Sequence, residues 1–260
     1  MIKFSYLNMI PTIYLTLIVM AIMLVCFQLG ILVRRRFAKA WKSDEASLGA
    51  VEGALLGLLA LLLGFTFSLS NSRYDSRLKV IVEEANDIGT AILRADLYPD
   101  SIRDAFRAEF KRYVDVRVEF FEAGKDLPRV KKAMDSTSAI QNRIWNIAAT
   151  LGRDRDNLHR TAQMIPALNA MIDVTTTRTA LTLAKVPDLI IYLLFMLCFT
   201  ASFMLGYSKG PKNDWIVTGI FALMIGITIF TILDLDRPRS GVITMDQVND
   251  NIRMLRTMFP

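Results

Sequence analysis

Four long stretches of the 260-residue chain carry no charged side chain, and they constrain the fold more than any other feature. They are 19 to 30 residues long and run over Phe4–Val33, Gly53–Ser72, Leu189–Ser208 and Trp215–Leu233. A helix needs about 20 predominantly apolar residues to cross a bilayer, so all four qualify as spans. The sequence therefore predicts an all-α, polytopic membrane protein with four transmembrane helices.

The first stretch is interpreted as a membrane anchor and not as a cleaved secretory signal. Its apolar core is longer than the roughly 7 to 15 residues of a signal peptide. Arg34, Arg35 and Arg36 also follow at the place where the small residues of a cleavage site are expected.

The spans form two pairs with a polar segment between them. We predict a first transmembrane pair in residues 1–72, with spans at about 11–33 and 50–72. A helical, coiled-coil-like soluble insert follows in residues 73–186. The second pair occupies residues 187–234, with spans at about 189–208 and 215–233, and residues 235–260 form a C-terminal tail with a short helix.

An apolar seam follows the second span with no helix-breaking residue between them. Its members recur at alternating spacings of four and three, a pattern typical of a coiled-coil-like helix: Tyr74, Leu78, Ile81, Ala85, Ile88, Ile92 and Ala95. We therefore predict one continuous helix from the second span into the insert, ending at Tyr98–Pro99.

Three more helices are predicted in the insert. The first aligns Ile102, Phe106, Phe110 and Tyr113 on one face. The apolar face predicted for the next helix comprises Val130, Met134, Thr137, Ile144, Ile147 and Leu151. The last runs from about Ala162 to Lys185, and Pro166 is expected either to start or to kink it.

Small residues line one side of the second span, at Gly49, Gly53, Gly57, Ala60, Gly64 and Ser68. Such a stripe allows membrane helices to pack closely; the alternative is a direct pore lining. The adjacent face carries Leu58, Leu61 and Phe65. These side chains face lipid or a core, or else form an apolar constriction in a ring of subunits that gates by dewetting.

Charged residues gather at the membrane edge on the side of the insert. We predict a cluster there made of Arg73, Arg77, Arg178, Asp234, Asp236 and Arg237. Two interpretations stay open, since charges at the end of a span are either ion pairs between helices or simple stop signals.

The sequence contains no pattern of a catalytic, metal or nucleic-acid site. It has no nucleophile elbow, phosphate-binding glycine loop or HExxH pair, and its one histidine, His159, has no second ligand nearby in sequence. Residues 71–186 hold 19 basic and 16 acidic side chains without a basic block that would track a phosphate backbone. We predict no enzyme activity, no cofactor, no metal and no nucleic-acid partner.

Several segments resemble the bacterial bestrophin-like family of membrane proteins. The resemblance begins at Leu63 with LGFTFSLSNSRYDSR, continues from Glu83 with EEANDIGTAILRADLYP, and includes ALNAMID from Ala167. It extends through Asp234-Leu-Asp-Arg-Pro and Ser240-Gly241, although Arg239 stands where that family tends to have an aromatic residue.

This resemblance implies kinship to bestrophins, which are pentameric anion channels with four spans and a large helical cytosolic part. Their second span lines the pore neck with large apolar residues. Phe65 matches a neck position, Leu61 lies one turn earlier, and Gly57 departs from the pattern because it has no side chain. With Ser68 on the same side, these residues form the predicted pore lining. The calcium-binding acidic cluster of animal bestrophins is not carried over.

Two arguments about membrane orientation disagree. Positive residues near short turns mark the cytoplasmic side, and Arg34, Arg35, Arg36, Lys39, Lys42, Lys209 and Lys212 would place both turns inside. The resemblance implies the reverse, with the insert in the cytoplasm of a bacterium and the spans in its inner membrane. We follow the resemblance.

Two functions from different classes are compatible with the sequence. The first is a homo-oligomeric, pentameric channel in the lipid bilayer that conducts inorganic anions, with Arg73 and Arg77 concentrating them. The second is a non-conducting, membrane-anchored sensor or scaffold whose helical insert binds a protein partner. The resemblance favours the channel.

Overall fold

The computed structural model describes residues 10–37, 45–209, 215–239 and 241–259, and within these ranges it contains helices and no strand. The helices are α1 (Thr12–Phe37), α2 (Glu45–Ala95), α3 (Asp100–Glu122), α4 (Leu127–Leu151), α5 (Leu158–Leu183), α6 (Asp188–Lys209), α7 (Trp215–Leu235) and α8 (Asp246–Met254). This confirms the all-α prediction. The turns that carry Lys39, Lys42 and Lys212 lie outside the described residues.

Four helical segments are long and apolar enough to cross a membrane. They lie within Thr12–Arg36, Leu48–Ala95, Arg155–Ser208 and Ile216–Leu235. Each contains one of the four uncharged stretches of the sequence or most of it, so the prediction of four transmembrane helices is confirmed. The predicted continuity of the second span with the insert is also observed, because α2 is a single helix of 51 residues.

The chain divides into two compact units. The membrane unit comprises residues 1–73 and 185–237, and in it α1 packs against α6 and α7. Its core is formed by apolar side chains from these helices, among them Val19, Met23, Leu194, Cys198, Ile229 and Ile232. Leu59 is the residue of α2 that is buried in this core. The membrane unit is therefore organised around α1, α6 and α7, with α2 contacting it along one side.

Helices α1 and α6 cross so closely at Gly30 and Gly206 that no larger residue fits. A Cβ atom on Gly30 would lie 2.2 Å from the backbone oxygen of Phe203, and one on Gly206 would lie 2.0 Å from that of Phe27. Both distances are far below van der Waals contact. Close packing through glycine therefore occurs between the first and third spans.

The helical unit comprises residues 74–184 and 238–260. Its core contains five members of the predicted seam, Ile81, Ala85, Ile88, Ile92 and Ala95, together with the predicted α3 residues Phe106, Phe110 and Tyr113. Helix α8 packs against α3, so the C-terminal segment belongs to this unit.

Local signals explain where the helices of this unit begin. Pro99 precedes α3, the side chain of Asp126 accepts a hydrogen bond from the Arg129 backbone N–H (3.1 Å) at the start of α4, and Gly124 adopts φ = 52° in the turn before it. Helix α5 starts at Leu158, earlier than predicted, and contains Pro166 in its first half. Pro166 therefore does not start this helix.

Candidate functional site

One face of α2 is formed by the four predicted pore-lining residues, Gly57, Leu61, Phe65 and Ser68. All four are exposed in the single chain, and the exposed fractions of the Leu61 and Phe65 side chains are 55% and 64%. Their spacings of four, four and three residues place them on one side of a helix with 3.6 residues per turn.

The opposite face of α2 is the one that packs within the membrane unit. It carries Leu59, Thr66 and Ser70, which are each at most 2% exposed. Of the most apolar 18 residues of α2, only 6% are buried, whereas 33% to 39% of the corresponding residues are buried in the other three spans. The second span thus uses a narrow face to contact its own chain and leaves the predicted pore-lining face uncovered.

The small-residue stripe lies on uncovered parts of α2. A Cβ atom added at Gly49, Gly53, Gly57 or Gly64 would meet no described atom of the chain within 4 Å. Within the described part of one chain, these glycines therefore do not serve close helix packing. The alternatives of packing against another copy and of lining a pore both remain as proposals.

The six residues of the predicted membrane-edge cluster fall into different settings. In the membrane unit, Nη1 of Arg73 lies 3.7 Å from Oδ1 of Asp236. Both carboxylate oxygens of Asp236 accept hydrogen bonds from the Val186 backbone N–H, at 3.0 and 3.1 Å. Arg237 donates to the backbone oxygen of Ile10 at 2.5 Å, and Asp234 is 2% exposed. Asp236 therefore links the end of α7 to the segment before α6.

The other two arginines of that cluster belong to the helical unit. Arg77 is 2% exposed and donates from Nε and Nη2 to the backbone oxygens of Leu181 (3.0 Å) and Ala184 (2.6 Å), at the C-terminal end of α5. Cationic groups at a helix C-terminus are favourable because they satisfy its unpaired carbonyls. Arg77 therefore has a structural role in holding α2 to α5.

Arg178 takes part in a buried charge cluster that the sequence did not reveal. Its Nη1 donates to Oε2 of Glu84, while Nε of Arg117 donates to Oε1 of the same carboxylate at 2.5 Å. The Glu84 side chain is fully buried and the two arginine side chains are 3% and 7% exposed. Nη2 of Arg178 also donates to the Asn249 side chain at 2.8 Å, which fastens α8 to α5.

The Glu84 carboxylate keeps Arg117 charged in spite of its burial. Burial alone would lower the pKa of the Arg117 guanidinium, but the Glu84 carboxylate beside it outweighs burial and raises this pKa. For the neighbouring Tyr113 phenol, burial has the opposite effect and raises the pKa well above its usual range. Both groups keep their ordinary protonation at neutral pH.

Within the described residues, no three histidine, cysteine, aspartate or glutamate side chains are grouped so that they could hold a metal ion. Each oxygen of the Glu84 carboxylate accepts a hydrogen bond from a buried arginine, so this carboxylate is not positioned as a general base. The charges of this buried cluster, Glu84, Arg117 and Arg178, thus have structural partners among the described residues.

Comparisons with known proteins identify the class of this helical membrane protein. A family model of the Bestrophin-like domain matches residues 20–248. The chain therefore belongs to the Bestrophin-like family, as its resemblance at the second span predicted. No curated protein matches the chain.

Solved structures share the fold at low sequence identity. A crystal structure of a bacterial Bestrophin homolog from Klebsiella pneumoniae superposes with a TM-score of 0.62 at 15% identity, covering 95% of this chain and 99% of that one. Two single-substitution variants of that homolog give TM-scores of 0.64 and 0.65 at 15% and 14% identity, covering 94% and 95% of this chain and 98% of theirs. The likeness therefore shows that the fold extends over almost the whole chain.

Proposed function

We propose that the protein is a homo-oligomeric ion channel, pentameric and anion-conducting, whose pore is lined by the membrane part of α2. The observation that carries this proposal is the uncovered face of α2, which presents Gly57, Leu61, Phe65 and Ser68 on the side opposite its packed residues. Membership of the Bestrophin-like family supports it.

The chemistry of this face suits a gated constriction. Leu61 and Phe65 are large and apolar, so a ring of them around an axis would exclude water when it is narrow and admit hydrated ions when it widens. Gly57, without a side chain, would leave the pore wider one turn away. A net charge of +6 favours anions over cations near the protein.

The test replaces the largest side chain of the proposed constriction. Purified protein in liposomes is expected to pass chloride or iodide, and Phe65→Ala is expected to increase the flux roughly threefold or more because it widens the dewetted segment. Halide entry into dye-loaded liposomes measures this flux. Phe67→Ala is the matched control, because Phe67 is also exposed on α2 (41%) but lies on another face; its flux should equal that of the parent protein.

Other outcomes separate the competing functions. Liposomes that pass no ion under any gradient would reject the channel in favour of the non-conducting sensor or scaffold. Flux of potassium without chloride would keep the channel and reject anion selectivity. Particle images with α2 around an axis of order other than five would reject the pentamer.

We also propose that the spans lie in the bacterial inner membrane and that the insert faces the cytoplasm, as the family resemblance implies. A cysteine at the exposed insert position His159 (H159C) tests this orientation. A membrane-impermeant maleimide is expected to leave it unlabelled in intact spheroplasts and to label it after lysis. Labelling of intact spheroplasts would place the insert outside, as the lysines and arginines of the two short turns suggest.

A further inference from the structure

A cavity of about 140 Å³ in the helical unit has a basic floor and no ligand assigned to it. Arg77, Arg178 and Asn249, all at most 6% exposed, line its buried side, and Arg239 lines it from the segment before α8. A single water needs roughly 10–15 Å³ of this kind of volume, so the cavity has room for a group of at least five heavy atoms. That is the size of a tetrahedral oxyanion.

Positive charge around this cavity exceeds the negative charge that pairs with it. The Phe120 ring, part of the cavity wall, contacts three guanidinium groups, with its centroid 4.5 Å from Cζ of Arg117, 4.6 Å from that of Arg239 and 5.5 Å from that of Arg178. Glu84 is the carboxylate shared by two of these arginines, so the three cations and one anion leave a net charge of +2. Arg239 has no carboxylate partner among the described residues.

Two donor atoms of Arg239, which lines this cavity, have no acceptor among the described residues. Its Nη1 donates to the backbone oxygens of Phe120 (3.2 Å) and Gly124 (3.1 Å), whereas no described residue accepts a hydrogen bond from its Nε or Nη2. Burial lowers the pKa of Arg239, and the charges of Arg178 and Arg117 lower it further, so a bound anion would relieve this repulsion. A guanidinium matches the oxygens of a phosphate with two parallel donors.

The Asp246 carboxylate at this cavity does not pair with these arginines. Asp246 lines the rim, but it is exposed and makes no hydrogen bond or ion pair with a described residue. Arg77 also lines the cavity, so the four arginines still outnumber the two carboxylates, Glu84 and Asp246. The first turn of α8, which begins at Asp246, also lines the cavity. The Val248 and Asn249 N–H groups donate to the Met245 oxygen, so this turn favours an anion through the positive end of the helix dipole.

We propose that this cavity binds a phosphate group, held by Nε and Nη2 of Arg239 with Arg178 and the start of α8 supplying further positive potential. The proposal does not depend on whether the protein conducts ions. Two sources can supply the same group, free phosphate and the headgroup of an anionic phospholipid. Arg77 lies only four residues after Arg73, the last α2 residue of the membrane unit, so both sources are tested.

The test uses the full-length protein in nanodiscs. In phosphatidylcholine discs, inorganic phosphate and pyrophosphate are titrated against potassium chloride of equal ionic strength, and the shift in unfolding temperature is recorded. In a second arm, discs containing phosphatidic acid replace the soluble anion. A saturable stabilisation in either arm is expected, and Arg239→Gln is expected to weaken it at least tenfold because two charge-assisted hydrogen bonds are lost.

Two further variants keep the proposal falsifiable. Arg239→Lys retains the charge and should bind more tightly than Arg239→Gln, which a general loss of structure would not produce. Arg256→Gln removes an exposed arginine that pairs with Asp115 outside the cavity, and it should bind as the parent protein does. The proposal is overturned if neither arm shows saturable stabilisation, or if Arg239→Gln binds as tightly as the parent protein.

Discussion

Replacing Glu84 by Gln is expected to destabilise the helical unit by about 3–5 kcal/mol, because it leaves two buried arginines without their shared carboxylate. The substitution keeps the shape of the side chain, so its effect reports on charge. Arg117 and Arg178 are 2% and 6% exposed and cannot turn to water without moving α3 or α5. Unfolding of purified protein followed by intrinsic fluorescence should show a decrease in Tm on the order of 10 °C.

The neighbouring residue provides a matched control. Glu83 has the same side chain one position earlier but is exposed, so Glu83→Gln should leave Tm within about 1–2 °C of the parent value. The double variant Glu84→Gln, Arg117→Gln should lose less unfolding free energy than the two single variants lose together. Glu84→Gln leaves the charge of Arg117 unpaired, and Arg117→Gln removes that charge. An unchanged Tm for Glu84→Gln would show that this ion cluster does not stabilise the fold.

The sequence could have revealed this cluster through the phase of its apolar seams. Glu84 lies three residues after Ile81 and four before Ile88, which places it on the same face as the seam of α2. Arg117 likewise follows Tyr113 by four residues on the apolar face of α3. Charged residues at such positions must be paired when the helices pack, but the sequence does not tell which partner each one meets across the unit.

Spans and the continuous helix α2 could be predicted because long uncharged runs and an unbroken seam are strong local signals. The start of the apolar face of α4 could not. The predicted face includes Val130 and Met134, of which Met134 is exposed, and its members Ile147 and Leu151 pack against the core only partly buried. The structure instead buries Ala133, Thr137, Ile140, Ile144 and Ala148. Both sets follow a helical period and share Thr137 and Ile144. Small alanines mark the true face here because α4 lies close to its neighbours, and hydropathy alone underrates them.

Glycine roles were equally hard to infer from the sequence. The regular stripe in α2 resembles a packing motif, but a Cβ atom on any of its glycines would meet no described atom within 4 Å. Gly30 and Gly206, which belong to no repeat, lie instead at the close crossing of α1 and α6. Spacing within one helix shows that a smooth face exists, and only the neighbouring helix decides whether it is used. The same limit applies to the proposed pore lining, whose side chains face away from the rest of their own chain.

Replacing Gly206 by Ala is expected to disrupt the membrane unit, because the added methyl group would lie 2.0 Å from the Phe27 oxygen and 2.8 Å from its carbonyl carbon. Backbone atoms of a helix cannot turn aside as a flexible side chain can, so α1 and α6 must separate along the crossing. Overpacking of this kind costs about 1–3 kcal/mol or more. Detergent-solubilised protein heated and then passed over a sizing column should lose its folded peak at a lower temperature.

The matched control is Gly219→Ala in α7, where a Cβ atom would meet no described atom within 4 Å. Since alanine favours a helix over glycine by about 1 kcal/mol, this variant should be as stable as the parent protein or slightly more stable. An equal Tm for Gly206→Ala and Gly219→Ala would contradict the close crossing of α1 and α6.

The added methyl group of Gly57→Ala also meets no described atom of its own chain within 4 Å. A change in the size of the assembled oligomer without loss of Tm would therefore report a contact of α2 with another copy.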